Sequence, residues 1–269
     1  MTKPVTLHFA HANGFPASSY RKLFSYLEGQ FSIIALEKFA HNPAFPVDQD
    51  WSNPVKELSQ YLQENSEEPV YLVGHSFGAV VSYMTACKFP QMVKGLIMLD
   101  PPLITGLTSM VVRSIRKTPL FDRLTPAHQT LNRCTSWPKG TNLIEYFQNK
   151  TLFKDMHPES IANYVDAAIE SHESGHSLSF DHNVEANIFR TIPLNIHRFY
   201  GKLQVPAKLI TGQHTTVCRP KRIAPFIKYN QLEHQEIANG GHMFPLEQPE
   251  EVAQLIAQTI DRWEDIAVN

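Results

Sequence analysis

One serine in the chain has the neighbours that a catalytic nucleophile requires. Residues 74–78 read Gly-His-Ser-Phe-Gly, so Ser76 has a glycine two positions away on each side. This spacing is typical of a sharp strand-to-helix turn, where small flanking residues let the two elements approach closely and the hydroxyl projects outward. Residues 70–73 are apolar like a buried strand, and residues 79–84 continue as a helix. The alternative is an ordinary turn, but we interpret Ser76 as a nucleophile.

A serine hydroxyl becomes reactive when a base takes its proton, and the chain offers 13 histidines. Position along the chain selects among them. His242 follows the last predicted strand and precedes the last predicted helix, and two glycines before it let its loop bend back toward Ser76. We therefore predict that His242 is the general base.

Two backbone N–H groups are needed to stabilise the negative charge that develops on a substrate carbonyl oxygen. Phe77 directly follows the nucleophile, and we predict that its N–H is the first donor. The second is expected from the loop after the first strand, where an Asn-Gly turn precedes Phe15. We predict that this turn presents the N–H of Phe15.

Short apolar runs alternate with helical patterns in both outer parts of the chain. This alternation predicts parallel strands joined by right-handed crossovers, in a sheet that is covered on both faces. Within residues 102–204 the strand pattern disappears, while helix-like stretches continue. We therefore predict an α/β core formed by residues 1–101 and 205–269, with a helical cap formed by residues 102–204. A second independent domain is the alternative interpretation of the inserted residues.

Several segments together resemble the α/β-hydrolase superfamily over nearly the full length of the chain. Residues 11–18 are similar to its His-Gly-Phe-Pro-type oxyanion loop, with asparagine where the family usually has histidine. The other matching segments are residues 74–78, 99–101, 240–242 and 245–249. The resemblance implies a mostly parallel central sheet, a cap inserted after the family's sixth strand and a serine–histidine–acid triad. It also implies that the family's first two strands are absent or very short here.

The chain departs from the family pattern at the acid of the triad. The family usually carries this acid in a turn after its seventh strand, but residues 212–218 contain no carboxylate. Asp100 ends the predicted strand that corresponds to the family's sixth, where certain lipases and dehalogenases of the superfamily carry their acid. We predict that Asp100 fixes the tautomer of His242. The alternatives are Asp122, Asp181, a Ser–His dyad without an acid, and an Asp100 that only ends its strand.

The composition limits the partners and the compartment. The formal net charge is −2 and charged residues make up 19%, which predicts no attraction to nucleic acid or to an anionic membrane surface. The sequence lacks a secretory pattern and an apolar run long enough to span a membrane, and its three cysteines lack disulfide or metal-ligand spacing. We therefore predict a cytoplasmic protein that acts on a small molecule without a cofactor or metal ion. The sequence leaves a homodimer open, and we interpret His172, His176 and His182 as part of a solvated loop.

These features together predict a serine hydrolase that cleaves a carboxylic ester of a small or medium, partly apolar substrate through a Ser76 acyl-enzyme. Thioester hydrolysis, C–C bond hydrolysis and acyl transfer use the same residues and remain alternatives. A different hypothesis is a ligand-binding protein that kept the fold and lost turnover. The reason for this hypothesis is that no carboxylate follows the strand that corresponds to the family's seventh, where the family usually carries the acid of its triad.

Overall fold

The computed structural model describes residues 4–268, apart from the side chains of residues 119, 220–222, 267 and 268. The strands, in chain order, are β1 (Val5–Ala10), β2 (Phe31–Ile34), β3 (Val70–His75), β4 (Val93–Leu99), β5 (Ser136–Pro138), β6 (Ile169–His172), β7 (Gly175–Leu178), β8 (Ala207–Gly212) and β9 (Glu233–Ile237).

The helices, in chain order, are α1 (Arg21–Ser25), α2 (Ser52–Asn65), α3 (Phe77–Lys88), α4 (Gly106–Ile115), α5 (Pro119–Leu124), α6 (Ala127–Leu131), α7 (Leu143–Gln148), α8 (Pro158–Ala168), α9 (His182–Arg190), α10 (Pro220–Asn230), α11 (Phe244–Glu247) and α12 (Pro249–Val268). Short 3-10 helices cover Ala17–Tyr20, Gln49–Trp51, Pro90–Met92 and Ile196–Phe199.

Six strands form a parallel sheet in the order β2-β1-β3-β4-β8-β9. β3 is buried at every position, and β4 exposes only Lys94. Successive side chains point to opposite faces of the sheet. Val73 therefore joins an apolar cluster with residues of α12, whereas Leu72 joins another with residues of α3. The predicted parallel sheet with helices on both faces is confirmed.

The parallel arrangement determines where the chemistry-bearing residues meet. The carboxyl ends of β1, β3, β4 and β8 lie at one edge of the sheet, which we call the carboxyl edge. The loop after β1, Ser76 after β3, Asp100 after β4 and the turn after β8 all begin there. In open parallel sheets, ligands bind outside this edge.

The segment between β4 and β8 contains α4 to α9 and a second, antiparallel sheet in the order β5-β7-β6. The expectation of a segment without strands was therefore wrong. These strands are only three or four residues long and mostly polar, so they lack the apolar alternation by which a strand is recognised. Within residues 4–268 no strand precedes β1, so β4, the fourth strand here, corresponds to the family's sixth.

Aromatic side chains join the inserted segment to the loop after β1. The ring centroid of Phe15 lies 5.6 Å from that of Phe153 and 4.9 Å from that of Tyr164. Phe147 contacts both of these rings of the insert, and all four side chains are buried. Such distances are typical of packed aromatic pairs. The inserted segment therefore packs against a loop of the carboxyl edge.

Candidate active site

Ser76 lies at the turn between β3 and α3 in a strained backbone conformation. Its φ is 54° and its ψ is −117°, a combination that residues with a side chain rarely adopt. A Cβ atom on Gly78 would lie 2.2 Å from the carbonyl oxygen of Ala10, so only glycine lets α3 begin this close to β1. The N–H of Ser76 donates to the carbonyl of Leu99 at 2.8 Å, which ties the turn to β4. These contacts have the geometry of a nucleophile elbow.

The structure brings Ser76, His242 and Asp100 together in one hydrogen-bonded chain. His242 Nε2 lies 3.1 Å from Ser76 Oγ, and His242 Nδ1 lies 2.6 Å from Asp100 Oδ2. Because a carboxylate only accepts, Nδ1 carries the proton, and Nε2 is left to accept the proton of the serine hydroxyl. The arrangement matches the geometry of a serine nucleophile, its base and the acid that orients the base.

Asp100 is fully buried directly after β4, and two groups from the end of β8 and the turn that follows it hold its carboxylate. Thr215 Oγ1 donates to Oδ2 at 2.6 Å, and the N–H of Gly212 donates to Oδ1 at 3.4 Å. The turn that lacks a carboxylate therefore contributes a hydroxyl. Sequence reasoning missed Thr215, because a threonine in a polar turn carries no signal of its own.

The two other candidate acids have different partners. Asp122 pairs with Arg190 within the inserted segment, at 2.5 Å. Asp181 accepts from the N–H of Asn183 at 2.8 Å and caps α9. Neither carboxylate is the one that contacts His242.

The two predicted oxyanion donors differ in their surroundings. Phe77 begins α3, and the first N–H groups of a helix have no partner within the helix, so its N–H is placed to bind a ligand. The N–H of Phe15 instead donates to the carbonyl of Ala12 at 3.1 Å. An oxyanion would have to share or replace this bond. The role of Phe15 as the second oxyanion donor therefore stays a prediction, and its hydrogen bond to Ala12 makes this prediction weaker.

A second, buried hydrogen-bond chain connects the loop after β1 to the loop of His242. The N–H of Ala12 donates to the Tyr20 hydroxyl at 3.3 Å, and this hydroxyl lies 2.7 Å from His75 Nδ1. His75 Nε2 lies 2.9 Å from the carbonyl of His242. Since a carbonyl only accepts, Nε2 carries the proton and Nδ1 accepts from Tyr20.

Burial lowers the pKa of His75 well below its usual range, so the ring stays neutral. Sequence reasoning missed this chain of Tyr20 and His75. The position of His75 beside Ser76 was its only local signal.

Within the described part of the chain, no group of three His, Cys, Asp or Glu side chains is placed to hold a metal ion. His172 and His176 lie on paired strands rather than in the expected solvated loop, and each contacts a serine of the opposite strand. Among the helices within residues 4–268, none is both long and apolar enough to cross a membrane.

The chain matches the model of a known protein family over most of its length. The model of the alpha/beta hydrolase family matches residues 9–255. The human serine hydrolase-like protein is 34% identical over 94 residues, which are 32% of this chain and 45% of that protein. The chain thus spans less than half the length of the curated relatives it matches.

Two solved structures share the fold. An E-2-(acetamidomethylene)succinate hydrolase superposes with a TM-score of 0.77 at 16% identity, covering 96% of this chain and 91% of its own. A thioesterase domain from the curacin biosynthetic pathway superposes with a TM-score of 0.73 at 18% identity, covering 96% and 92%. At these identities the likeness shows the fold alone. The family model, in contrast, spans most of the sequence, and the chain belongs to the alpha/beta hydrolase family.

Proposed function

We propose that this protein is a serine hydrolase that cleaves a carboxylic ester of a small or medium, partly apolar substrate. The observation that carries the proposal is the continuous chain from Ser76 Oγ through both nitrogens of His242 to Asp100, with contacts of 3.1 and 2.6 Å. A serine hydroxyl alone is a weak nucleophile at neutral pH, and this chain supplies the base that activates it.

The proposed reaction proceeds in two halves. His242 Nε2 takes the hydroxyl proton of Ser76 as Oγ attacks the ester carbonyl, and the N–H of Phe77 donates to the resulting oxyanion, joined by Phe15. The tetrahedral intermediate collapses as His242 returns the proton to the leaving alcohol, which leaves an acyl group on Ser76. Water then attacks this acyl-enzyme with His242 as the base, and the acid product leaves.

We further propose that residues 102–204 form a cap that selects the substrate, over a core of residues 1–101 and 205–269. The packing of Phe153 and Tyr164 on Phe15 supports this division, because it places the insert beside a loop that flanks the nucleophile. We expect the aromatic side chains of the insert to favour a substrate with an apolar portion.

Thioester hydrolysis, C–C bond hydrolysis and acyl transfer remain variants of the same proposal, since each runs through the same serine, base and oxyanion donors. The thioesterase domain that shares the fold makes a thioester the first variant to test. The ligand-binding hypothesis rested on a missing acid, and the contact of Asp100 with His242 supports turnover instead.

A labelling experiment tests the proposal. A fluorophosphonate probe should modify Ser76 in the parent protein and leave Ser76→Ala unlabelled. Turnover is measured with a panel of p-nitrophenyl esters of increasing chain length, and kcat should be about 10⁶-fold lower in Ser76→Ala than in the parent protein. Ser82→Ala is the matched control, because Ser82 is a buried serine of α3, the helix that follows Ser76, and should keep full labelling and turnover. A folded parent protein that takes up no probe at Ser76 contradicts the proposal.

A further inference from the structure

A buried ion pair of the inserted segment stands apart from the groups that the proposed reaction uses. Arg133 follows α6, and Glu185 lies in α9. Arg133 Nη1 donates to Glu185 Oε1 at 3.2 Å, and Arg133 Nη2 contacts Oε2. The side chain of Glu185 is 7% exposed and that of Arg133 is 28% exposed. The guanidinium is therefore held in place by a carboxylate that has little contact with solvent.

This pair lies directly against the loop after β1. A Cβ atom built on Gly14 would lie only 2.7 Å from Glu185 Oε1. The side-chain amide of Asn13 donates to the main-chain carbonyl of Glu185 at 2.9 Å. The next residue along the loop is Phe15, the predicted second oxyanion donor. The ion pair therefore adjoins the loop that we predict to bind the ester carbonyl oxygen of a substrate on Ser76.

The guanidinium keeps donors that no described residue uses. Arginine has five N–H donors in a planar fork and no acceptor. Glu185 faces the end of the fork, where Nη1 and Nη2 lie. Nε of Arg133 donates no hydrogen bond to any residue within 4–268, although it is shielded from solvent. Nη2 carries two hydrogens, and its ion pair with Glu185 Oε2 uses one of them. These two nitrogens share the long side of the fork, which is the side that binds a carboxylate through two parallel hydrogen bonds.

Two further buried polar atoms, one on the loop after β1 and one in the insert, also lack partners. Asn13 Oδ1 and Trp137 Nε1 are buried without a hydrogen bond among the residues that the structure describes. Trp137 belongs to the aromatic group of the insert, 5.6 Å from Phe147 between ring centroids. Buried polar groups are normally paired, so unpaired buried donors and an unpaired acceptor in the insert and the loop after β1 support a site for a polar ligand.

We propose that the long side of the Arg133 guanidinium binds a carboxylate of the substrate, so that the preferred substrate is an ester that carries a second, free carboxyl group. Glu185 serves as the fixed partner that orients the guanidinium. This inference rests on the proposed serine hydrolase activity, which it deepens by naming the substrate class. A carboxylate offers two acceptor oxygens at the spacing of the fork, whereas an alkyl chain leaves both donors buried and unpaired.

Three methyl esters of equal chain length test the inference. Monomethyl glutarate carries the carboxylate, methyl glutaramate replaces it by an amide, and methyl pentanoate replaces it by a methyl group. Methanol release should give a kcat/KM that is highest for the carboxylate and at least about tenfold lower for methyl pentanoate, because a site built for a polar group rejects analogues that lack it. Equal values for the carboxylate and the amide, or for all three esters, overturn the carboxylate assignment.

Variants locate the preference at Arg133. Arg133→Gln combined with Glu185→Gln removes both charges, so neither is left buried alone, and it should lower the ratio of kcat/KM for monomethyl glutarate to that for methyl pentanoate to about one. Arg133→Lys keeps the charge without the fork and should also lose most of the preference. Arg123→Gln is the matched control, because Arg123 is an exposed arginine of the same insert. A double variant that retains the preference shows that the inference is wrong.

A binding measurement separates this inference from the proposed activity. Calorimetry with glutarate on Ser76→Ala protein should show binding that the double substitution at Arg133 and Glu185 abolishes. If the parent protein reacts with the fluorophosphonate and cleaves methyl pentanoate, but neither prefers monomethyl glutarate nor binds glutarate as Ser76→Ala protein, the inference is overturned and the proposed activity stands. Protein that binds glutarate through Arg133 but takes up no probe and cleaves no ester overturns the proposed activity and keeps the site.

Discussion

The carboxyl edge of the large sheet and the inserted segment position their side chains by different means. At the edge, main-chain hydrogen bonds tie the ends of neighbouring strands together: the N–H of Ser76 donates to Leu99, and the N–H of Asp100 donates to Ile210. In the insert, charged side chains supply long-range contacts, such as those between Arg133 and Glu185. Main-chain hydrogen bonds fix a position more tightly than contacts between flexible side chains.

One helix of the insert makes the contrast stronger. No residue of α4 is buried, and Leu107 is 82% exposed on it. The comparison teaches that the proposed catalytic atoms are placed largely by the backbone of the large sheet, whereas the proposed substrate-facing surface of the insert is placed by exchangeable side chains. We therefore expect substitutions at the edge to change kcat, and substitutions in the insert to change substrate preference.

The largest effect is expected from Asp100→Asn at the carboxyl edge. The amide group can donate to Nδ1 of His242 and thereby place the ring proton on Nε2, where it cannot accept from Ser76. We expect kcat to fall about 10⁴-fold with little change in thermal unfolding. Asp122→Asn in the insert is the control and should keep its kcat. Near-normal turnover of Asp100→Asn would remove Asp100 from the proposed triad.

A large loss of stability is expected from Gly78→Ala. The new methyl group would overlap the carbonyl oxygen of Ala10, a main-chain atom that cannot move aside without shifting β1. We expect the free energy of unfolding, measured in urea, to fall by about 3 kcal/mol. Gly140→Ala in the insert meets no atom within 4 Å and should cost only about 1 kcal/mol for its positive φ of 85°. An equal decrease in the free energy of unfolding for Gly78→Ala and Gly140→Ala would contradict the difference proposed between the two regions.

A smaller effect is expected from Tyr20→Phe, which removes one hydroxyl from the buried chain between the two loops. His75 Nδ1 and the N–H of Ala12 then lose their partner, which costs about 1–3 kcal/mol of stability. Because His75 holds the carbonyl of His242, we expect kcat per folded molecule to fall about tenfold with KM nearly constant.

The control for this variant is Tyr26→Phe, since Tyr26 is 41% exposed and lies close to Tyr20 in the sequence. Activity is normalised to the fraction of Ser76 that a fluorophosphonate labels. A kcat that follows only the folded fraction would limit Tyr20 to a structural role.

The smallest effect concerns the interior of the sheet and appears only as a pH dependence. His8 on β1 is fully buried, and burial lowers its pKa from 6.5 to about 3. The folded protein thus keeps His8 neutral, whereas the unfolded chain takes up a proton as the pH falls below about 6.5. Stability from this residue is therefore lost at about 1.4 kcal/mol per pH unit below 6.5, down to the folded pKa.

His8→Leu removes this dependence. We expect the stability of the variant relative to the parent to rise by about 1.4 kcal/mol between pH 7.5 and pH 5.5 in urea unfolding. Glu57 and Glu185, whose pKa values burial raises to about 7 and about 6, act in the opposite direction but are present in both proteins and cancel. Leu72→Ala, a buried change without a titrating group, should show the same loss at both pH values. An unchanged difference for His8→Leu would contradict the linkage.

The sheet and the central residues of the site could be predicted from the sequence because their signals are local. Apolar runs of strand length mark β3 and β4, and the glycines around Ser76 mark the turn between strand and helix. The order of elements along a parallel sheet then assigns His242 and Asp100 to the same edge, where the structure brings them together. Their catalytic roles remain proposals.

The remaining features depend on contacts between residues that are far apart in the sequence. Tyr20 and His75 are separated by 55 positions, and Thr215 and Asp100 by 115, so no spacing rule connects them. The small antiparallel sheet of the insert was missed because strands as short as Ser136–Pro138 are held by a neighbour rather than by an apolar pattern. The bond between Phe15 and Ala12 likewise depends on the exact turn that the loop adopts.

The position of Asp100 directly after β4 affects the order in which the site can be assembled. Ser76 and Asp100 both belong to the single β3–α3–β4 crossover unit, whose two strands are direct neighbours. Closing this short unit costs little chain entropy, whereas His242 is 166 positions from Ser76 and must be brought back by a much longer loop. The proposed nucleophile and the proposed acid therefore form one low-contact-order unit, and we expect the proposed base to join it later in folding, together with β8 and β9.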